Sequence, residues 1–245
     1  MSELVVPLQL AQDVTLAGGK GASLARLLGA GFNVPPGFVV TTASKRLDKQ
    51  LGAEILAAFD RLGAKYVAVR SSAAAEDGAK DAWAGQLDTF LNVTRGELLE
   101  KIQLCLDSSK SERAKSYAEQ KKINSGAVAV IIQKMVPSEI SGVAFSAHPV
   151  TNNLEQIVIE AVAGLGEDLV SGKVTPDTYI TDKASGKLIE KHLASAQLLD
   201  EEQIKSLCKD IASIEKTFGF PVDVEWAIAN NDLFILQSRP ITTLG

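Results

Sequence analysis

The feature that most limits the fold lies at the end of the chain. In Val222-Asp223-Val224-Glu225-Trp226-Ala227-Ile228-Ala229 every second residue is apolar, and a return run, Leu233 to Arg239, follows after Asn230-Asn231-Asp232. Period-two alternation makes a strand with one buried face, and two runs around a short polar loop make an antiparallel hairpin. Asn and Asp tolerate left-handed backbone, so a three-residue loop is expected. That loop pairs Ala229 with Leu233, and hence Glu225 with Gln237 and Asp223 with Arg239. A two-residue Asn-Asn turn would instead set Glu225 against Leu236 and scatter the polar groups. With the longer loop, a carboxylate, an amide oxygen and a guanidinium share one sheet face. Mg²⁺ prefers hard oxygen ligands shared with substrate phosphates, and Arg forks onto phosphate. A surface hairpin with cross-strand salt bridges is the other reading of the same residues.

Helical and strand patterns divide the remainder of the chain. Gly18-Gly19-Lys20-Gly21 leads into a short helix with Leu24, Leu27 and Leu28 on one face, and Pro35-Pro36-Gly37 turns into a strand at Phe38–Thr42. A helix over about 44–61 and a strand at Tyr66–Arg70 follow. Residues 73–86 have loop chemistry, Leu87–Val93 reads as a strand, and 97–122 carries helical pattern until Ser125-Gly126 breaks it. Five strands come next, at Ala127–Met135, Gly142–Ser146, Gln156–Ala161, Thr178–Thr181 and Lys187–Leu193. A last amphipathic helix, about 200–217, aligns Ile204, Leu207, Cys208, Ile211, Ile214 and Phe218. Many adjacent strands joined by turns indicate an α+β fold with antiparallel sheets rather than a doubly wound parallel one. The change at Ser125 divides the chain into lobes 1–124 and 125–245.

Composition excludes several classes. The 245 residues carry a net charge of −5 with no clustered Lys and Arg, which argues against a nucleic-acid footprint. The longest apolar run, Ala127–Ile132, is far too short to span a bilayer, and Met1 to Gln9 lacks a signal-peptide pattern. A soluble, cytoplasmic protein is expected. Cys105 and Cys208 fall in apolar helical patterns and read as small buried hydrophobes.

Two further segments bear on anions. A glycine-rich turn feeding a helix N-terminus suits them through free N–H groups, although Gly18–Gly21 lacks Walker A spacing and by itself reads first as an ordinary turn. Arg70, where a buried strand meets a Ser-rich loop, either reaches a ligand or pairs with Glu76 or Asp77. Glu160 to Gly172 lacks the spacing of a dinucleotide loop.

The motifs together resemble the N-terminal part of phosphoenolpyruvate synthases and pyruvate phosphate dikinases. Those motifs are Gly-Gly-Lys-Gly-Ala-Ser-Leu from Gly18, Val34-Pro35-Pro36-Gly37-Phe38, Val69-Arg70-Ser71-Ser72-Ala73 and Trp83-Ala84-Gly85-Gln86 with Thr89-Phe90-Leu91-Asn92-Val93. The series continues through Gln133-Lys134-Met135-Val136, Ser141-Gly142-Val143-Ala144-Phe145, Gly164-Leu165-Gly166-Glu167 and Pro176-Asp177. It ends with Asp223-Val224-Glu225-Trp226 and Leu236-Gln237-Ser238-Arg239-Pro240.

The resemblance implies an ATP-grasp fold whose two lobes clamp ATP with Mg²⁺. It implies that Lys20 and Arg70 hold phosphates from a solvent-accessible cleft, with Gly85 and Thr89 in the loop over them. Gln133 would contact adenine at an interlobe hinge, with Met135 and Val136 adjoining. Glu225 and Gln237 would ligate Mg²⁺, and Arg239 would neutralise the transferred phosphate. The implied reaction is a kinase- or dikinase-type phosphotransfer to a histidine on a separate swivelling domain, which serves pyruvate. Rifampicin phosphotransferases share the nucleotide domain, so an antibiotic acceptor is an alternative, as is a non-catalytic ATP-binding regulatory or assembly module. Three departures from the family pattern stand out. The chain stops just after Arg239-Pro240, so the phosphohistidine domain and pyruvate barrel are expected from a partner or a longer enzyme. The stretch from Thr42 to Tyr66 is short, and His148 replaces an acidic or amide residue. His148 and His192 read as structural or surface residues.

Overall fold

The structure, a computed structural model, describes residues 3–44, 46–73, 77–78, 81–82, 88–108, 128–170, 172–194 and 196–244. The chain divides into two compact units, Met1–Gly29 with Pro35–Met135, and Ala30–Val34 with Val136–Gly245.

The first unit is built on five antiparallel strands, β1 (Val5–Pro7), β2 (Gly37–Val40), β7 (Val128–Lys134), β3 (Val67–Ala73) and β6 (Thr89–Val93), in that spatial order. Short strands β4 (Asp77–Gly78) and β5 (Asp81–Ala82) pair separately, within a stretch the sequence suggested was loop. Helix α2 (Lys49–Leu62) starts where the Asp48 side chain accepts the Leu51 N–H at 2.9 Å and stops at left-handed Gly63. Its Leu51, Ile55 and Phe59 recur at helical spacing and join Leu98 and Ile102 of α3 (Leu98–Ser108) over Phe38, Val40, Val67, Val69, Val130 and Ile132. Helix α3 was expected to run on to residue 122, and the remainder lies outside the described residues.

Helix α1 (Val14–Gly29) breaks at Gly18, whose φ of 71° and ψ of 172° are not helical. A Cβ there would collide with the side chain and carbonyl of Ser72, so only glycine fits. The helix resumes at Gly19, which leaves Lys20 in a first turn, as the glycine run suggested.

The expected lobes 1–124 and 125–245 need correction. The division falls between Met135 and Val136 because β7 is the middle strand of the first sheet, held by β2 and β3. Residues Ala30–Val34 join the second unit. There the Asn33 carbonyl accepts the Ile235 N–H at 2.9 Å, and the Asn33 side chain donates to the Leu233 carbonyl at 2.9 Å.

The second unit holds six antiparallel strands in the order β11 (Leu188–His192), β10 (Asp177–Asp182), β9 (Gln156–Ala163), β8 (Ile140–Phe145), β12 (Val222–Ala229) and β13 (Asp232–Pro240). A single turn, α4 (Glu167–Val170), follows β9. Helix α5 (Glu201–Phe218) opens with a capping box, Asp200 accepting the Gln203 N–H while the Gln203 side chain accepts the Asp200 N–H. Its stripe Ile204, Leu207, Cys208, Ile211 and Ile214 is buried, and Cys208 Sγ lies 3.0 Å from Thr181 Oγ1 on β10. Residues on the same face as Thr181 are Tyr179, Ile157, Ile159, Ala144, Val224 and Trp226, all fully buried. Gly142 sits opposite Trp226 on β8, and a Cβ there would strike both the indole and the Glu160 carbonyl.

Candidate functional site

The terminal hairpin positions the second unit's polar groups by a route other than the one expected. Its turn has two residues, Asn230 and Asn231, with φ of 52° and 63°, and Ala229 pairs with Asp232. Left-handed backbone at both positions is the tight hairpin turn that Asn favours. Continued without interruption, that register would put Glu225 against Leu236. Instead the register shifts between Trp226 and Glu225, leaving Leu236 as a bulge, and Glu225 pairs with Gln237 and Asp223 with Arg239. The expected pairs are present; the expected three-residue loop is not.

Those pairs lie on the sheet face opposite α5. Direct cross-strand partners share a face, so Thr178, Glu160, Val143, Glu225 and Gln237 form one row across β10, β9, β8, β12 and β13. The next row holds Ile180, Val158, Phe145, Asp223 and Arg239. Arg239 donates from Nε at 2.9 Å and from Nη2 at 2.8 Å to Asp223 Oδ2. Burial nevertheless holds the Asp223 carboxyl above its ordinary range, with Arg239 pulling down and Glu225 pushing up. Glu160 is also raised, first by burial and then by Asp223. Glu160 went unnoticed in the sequence, because its place in the row depends on the β8–β9 and β8–β12 registers.

Does this face fit a divalent ion? Among the described residues no three His, Cys, Asp or Glu side chains gather closely enough to hold a metal by themselves. Glu225 and the Gln237 amide therefore suit an ion that takes most of its oxygens elsewhere, which is how Mg²⁺ binds beside phosphates.

The first unit gathers a second group. Arg70 on β3 pairs with Thr89 on β6. The next residue, Ser71, donates its N–H and hydroxyl to the Asp88 carbonyl, each at 3.1 Å. Lys20 Nζ donates to the Ser71 carbonyl at 3.4 Å, and the Gly21 N–H to Ser72 Oγ at 3.3 Å. Two cations and the first turn of a helix thus meet at one end of β3. Arg70 was expected in a solvent-accessible cleft, yet it is only 9% exposed. Gln133, 2% exposed, donates to the Pro35 carbonyl at 3.4 Å, and the Met135 N–H donates to the Tyr66 carbonyl at 3.1 Å. Val136 opens the second unit, packed with Ala227, Ala229, Phe234 and Leu236. Gly85 lies outside the described residues.

His148 joins neither group, and His192 stands at the far β11 end of the Glu225 row, opposite Thr178. His148 Nδ1 accepts the Val150 N–H at 3.3 Å and the Thr151 N–H at 3.4 Å, the role an Asp or Asn oxygen plays at the start of a turn. The departure from the family residue is thereby accommodated. Exposed His192 lies 2.9 Å from Glu190.

With this geometry in place, relatives become informative. The family described as pyruvate phosphate dikinase, AMP/ATP-binding domain, matches residues 43–198 and 193–245. The chain belongs to that family, and its fold is α+β with antiparallel sheets. A probable phosphoenolpyruvate synthase of Methanocaldococcus jannaschii is 36% identical over 95% of this chain and 26% of its own length. An uncharacterised phosphotransferase of Bacillus subtilis is 34% identical over 96% of this chain and 34% of its own length. D-alanine–D-alanine ligase of Bacillus anthracis complexed with ATP aligns with 96% of this chain and 56% of its own, at 12% identity and a TM-score of 0.47. The chain spans less than half the length of each of these two curated relatives. No helix among the described residues is long and apolar enough to cross a membrane.

Proposed function

We propose that this chain binds Mg·ATP and, as a phosphotransferase, passes a phosphoryl group to a histidine on another domain, supplied in trans or by a longer enzyme. The observation that carries the reading is Glu225 opposite Gln237 with Arg239 on the same face, in a member of an AMP/ATP-binding domain family. In this reading Lys20 and Arg70 offset phosphate charge at the end of β3, helped by the backbone N–H groups where α1 resumes after Gly18, with Gly85 and Thr89 in the loop above. Gln133, Met135 and Val136 form the adenine end. Glu225 and Gln237 hold Mg²⁺, which shields the phosphates from the carboxylates. Asp223 keeps the Arg239 guanidinium extended and oriented until it shares that charge with the phosphate being transferred. Phosphoryl transfer asks for little beyond such positioning and charge cancellation.

The test incubates the chain with Mg²⁺ and ATP labelled at the β or γ position, alone and with a phosphohistidine domain of the family. Expected are nucleotide binding by the chain and labelling of the added histidine domain. The chain alone should form no phosphoenolpyruvate from pyruvate and no phospho-rifampicin. Substitutions Lys20→Ala and Arg70→Ala should each weaken ATP about ten- to a hundredfold. Binding without transfer would leave a non-catalytic module, and absence of binding would overturn the reading.

A further inference from the structure

The polar face of the second sheet contains a carboxylate that the proposed chemistry does not use and that, among the described residues, no neighbour engages. The face's other unused carboxylates are partnered, Glu190 of β11 by His192 at 2.9 Å and Asp182 of β10 by the Ser185 N–H. Asp223 is engaged by Arg239, and Glu225 stands opposite Gln237. Glu160 lies in the same row as Glu225, separated from it by Val143 on the intervening strand. Two strand spacings put the two backbones about 9.5 Å apart. Among the described residues no hydrogen bond or salt bridge engages the Glu160 carboxylate, although it is half-buried. Leaving an ionised group partly desolvated and unpaired is unfavourable, so such a group calls for a donor from outside the chain.

The face has a polarity along its rows. The β12–β13 side presents guanidinium, amide and carboxylate, the groups for phosphate and metal. In those two rows β8 then offers Val143 and Phe145, β9 offers Val158 beside Glu160, and β10 offers Thr178 and Ile180 before the exposed Glu190–His192 pair of β11. A nucleotide has the same order, with phosphates and metal at one end and a less charged nucleoside beyond. Glu160 repels phosphate, so what reaches it must be the part of the ligand that bears neutral donors. In a ribonucleotide those are the sugar hydroxyls.

Resting on the Mg·ATP reading above, we infer that Glu160 accepts hydrogen bonds from the ribose hydroxyls and makes this chain select ribonucleotides over deoxyribonucleotides. The test measures binding of ATP, 2′-deoxy-ATP, 3′-deoxy-ATP and inorganic tripolyphosphate, each with Mg²⁺, to the full chain and to its Glu160→Gln and Glu160→Ala variants. The unaltered chain should prefer ATP over at least one deoxy analogue by about tenfold, as expected for a hydrogen bond to a charged group. Glu160→Ala should abolish that preference, and Glu160→Gln should reduce it. Tripolyphosphate, lacking a sugar, should bind both variants as well as or better than the original, which also reports that they fold. An unchanged ATP-to-deoxy-ATP ratio in the variants, or no preference in the unaltered chain, overturns the role of Glu160 while leaving Mg·ATP binding intact. Equal weakening of tripolyphosphate and ATP overturns it too, since Glu160 would then act on the phosphate end. A chain that binds tripolyphosphate but neither nucleotide, or none of the ligands, overturns the nucleotide reading and this inference together.

Discussion

The two faces of the second sheet are made by alternate residues of the same strands, yet they do opposite things. Under α5, Trp226, Val224, Tyr179 and Ile159 are fully buried, and the Thr181 hydroxyl is taken up by the Ile157 carbonyl at 3.3 Å and the Cys208 thiol at 3.0 Å. On the other face Glu160, Asp223, Glu225, Gln237 and Arg239 gather around a strip of apolar residues. Trp226 and Glu225 are neighbours in sequence, one anchoring a dry core and the other facing a charged row. The difference shows how a strand of period two can separate stability from chemistry with no extra elements.

That separation can be broken by experiment. The largest effect should follow Trp226→Ala, which empties the dry face and costs about 3–5 kcal/mol of stability by denaturant titration. A loss under 1 kcal/mol would mean that the indole is not part of a tightly packed core. Gly142→Ala should cost about 2–3 kcal/mol, because the added methyl meets backbone at Glu160 as well as the indole. Thermal unfolding unchanged from the parent would refute that close approach. Glu225→Ala belongs to the other face. It should leave the unfolding midpoint nearly in place and weaken Mg·ATP by about 1.5–3 kcal/mol in a calorimetric titration; a large stability loss with unaltered binding would erase the division. The smallest effect concerns Cys208, whose thiol burial pushes above its ordinary value of 9.0. The fold favours the neutral thiol, so this contribution is complete below pH 9 and is lost as pH rises through the elevated value. In the folded protein at pH 8, iodoacetamide should leave Cys208 unmodified, and rapid alkylation would place it on a wet surface.

Sequence was a good guide wherever pattern and local chemistry act alone. The capped helices α2 and α5, most of the strands and the antiparallel class were legible from apolar spacing and turn residues. Tertiary pairing was not. Strand β7 follows the Ser125-Gly126 break and begins a strand-rich stretch, so pattern alone assigns it to the second lobe, yet its partners are β2 and β3. Strand β1 has three residues, too few to show alternation, and exists by pairing with β2. The hairpin is more instructive. Its pairs Glu225–Gln237 and Asp223–Arg239 were foreseen from a loop length that does not occur, because nothing local announces the bulge at Leu236. That residue packs with Val136, Ala227, Ala229 and Phe234, contacts that only the folded unit supplies. Glu160 was hidden for the same reason.

The bulge has a consequence for how this site tolerates change in length. A two-residue turn with one extra residue in the strand brings Glu225 to Gln237, and a three-residue turn with an uninterrupted strand would do the same. The quantity preserved is the total number of residues between the two partners, eleven intervening positions from Trp226 to Leu236. A single insertion at the Asn230-Asn231 tip would therefore misalign the polar row, while the same insertion accompanied by loss of Leu236 would restore it. Along this hairpin, gaps are neutral only in compensating pairs.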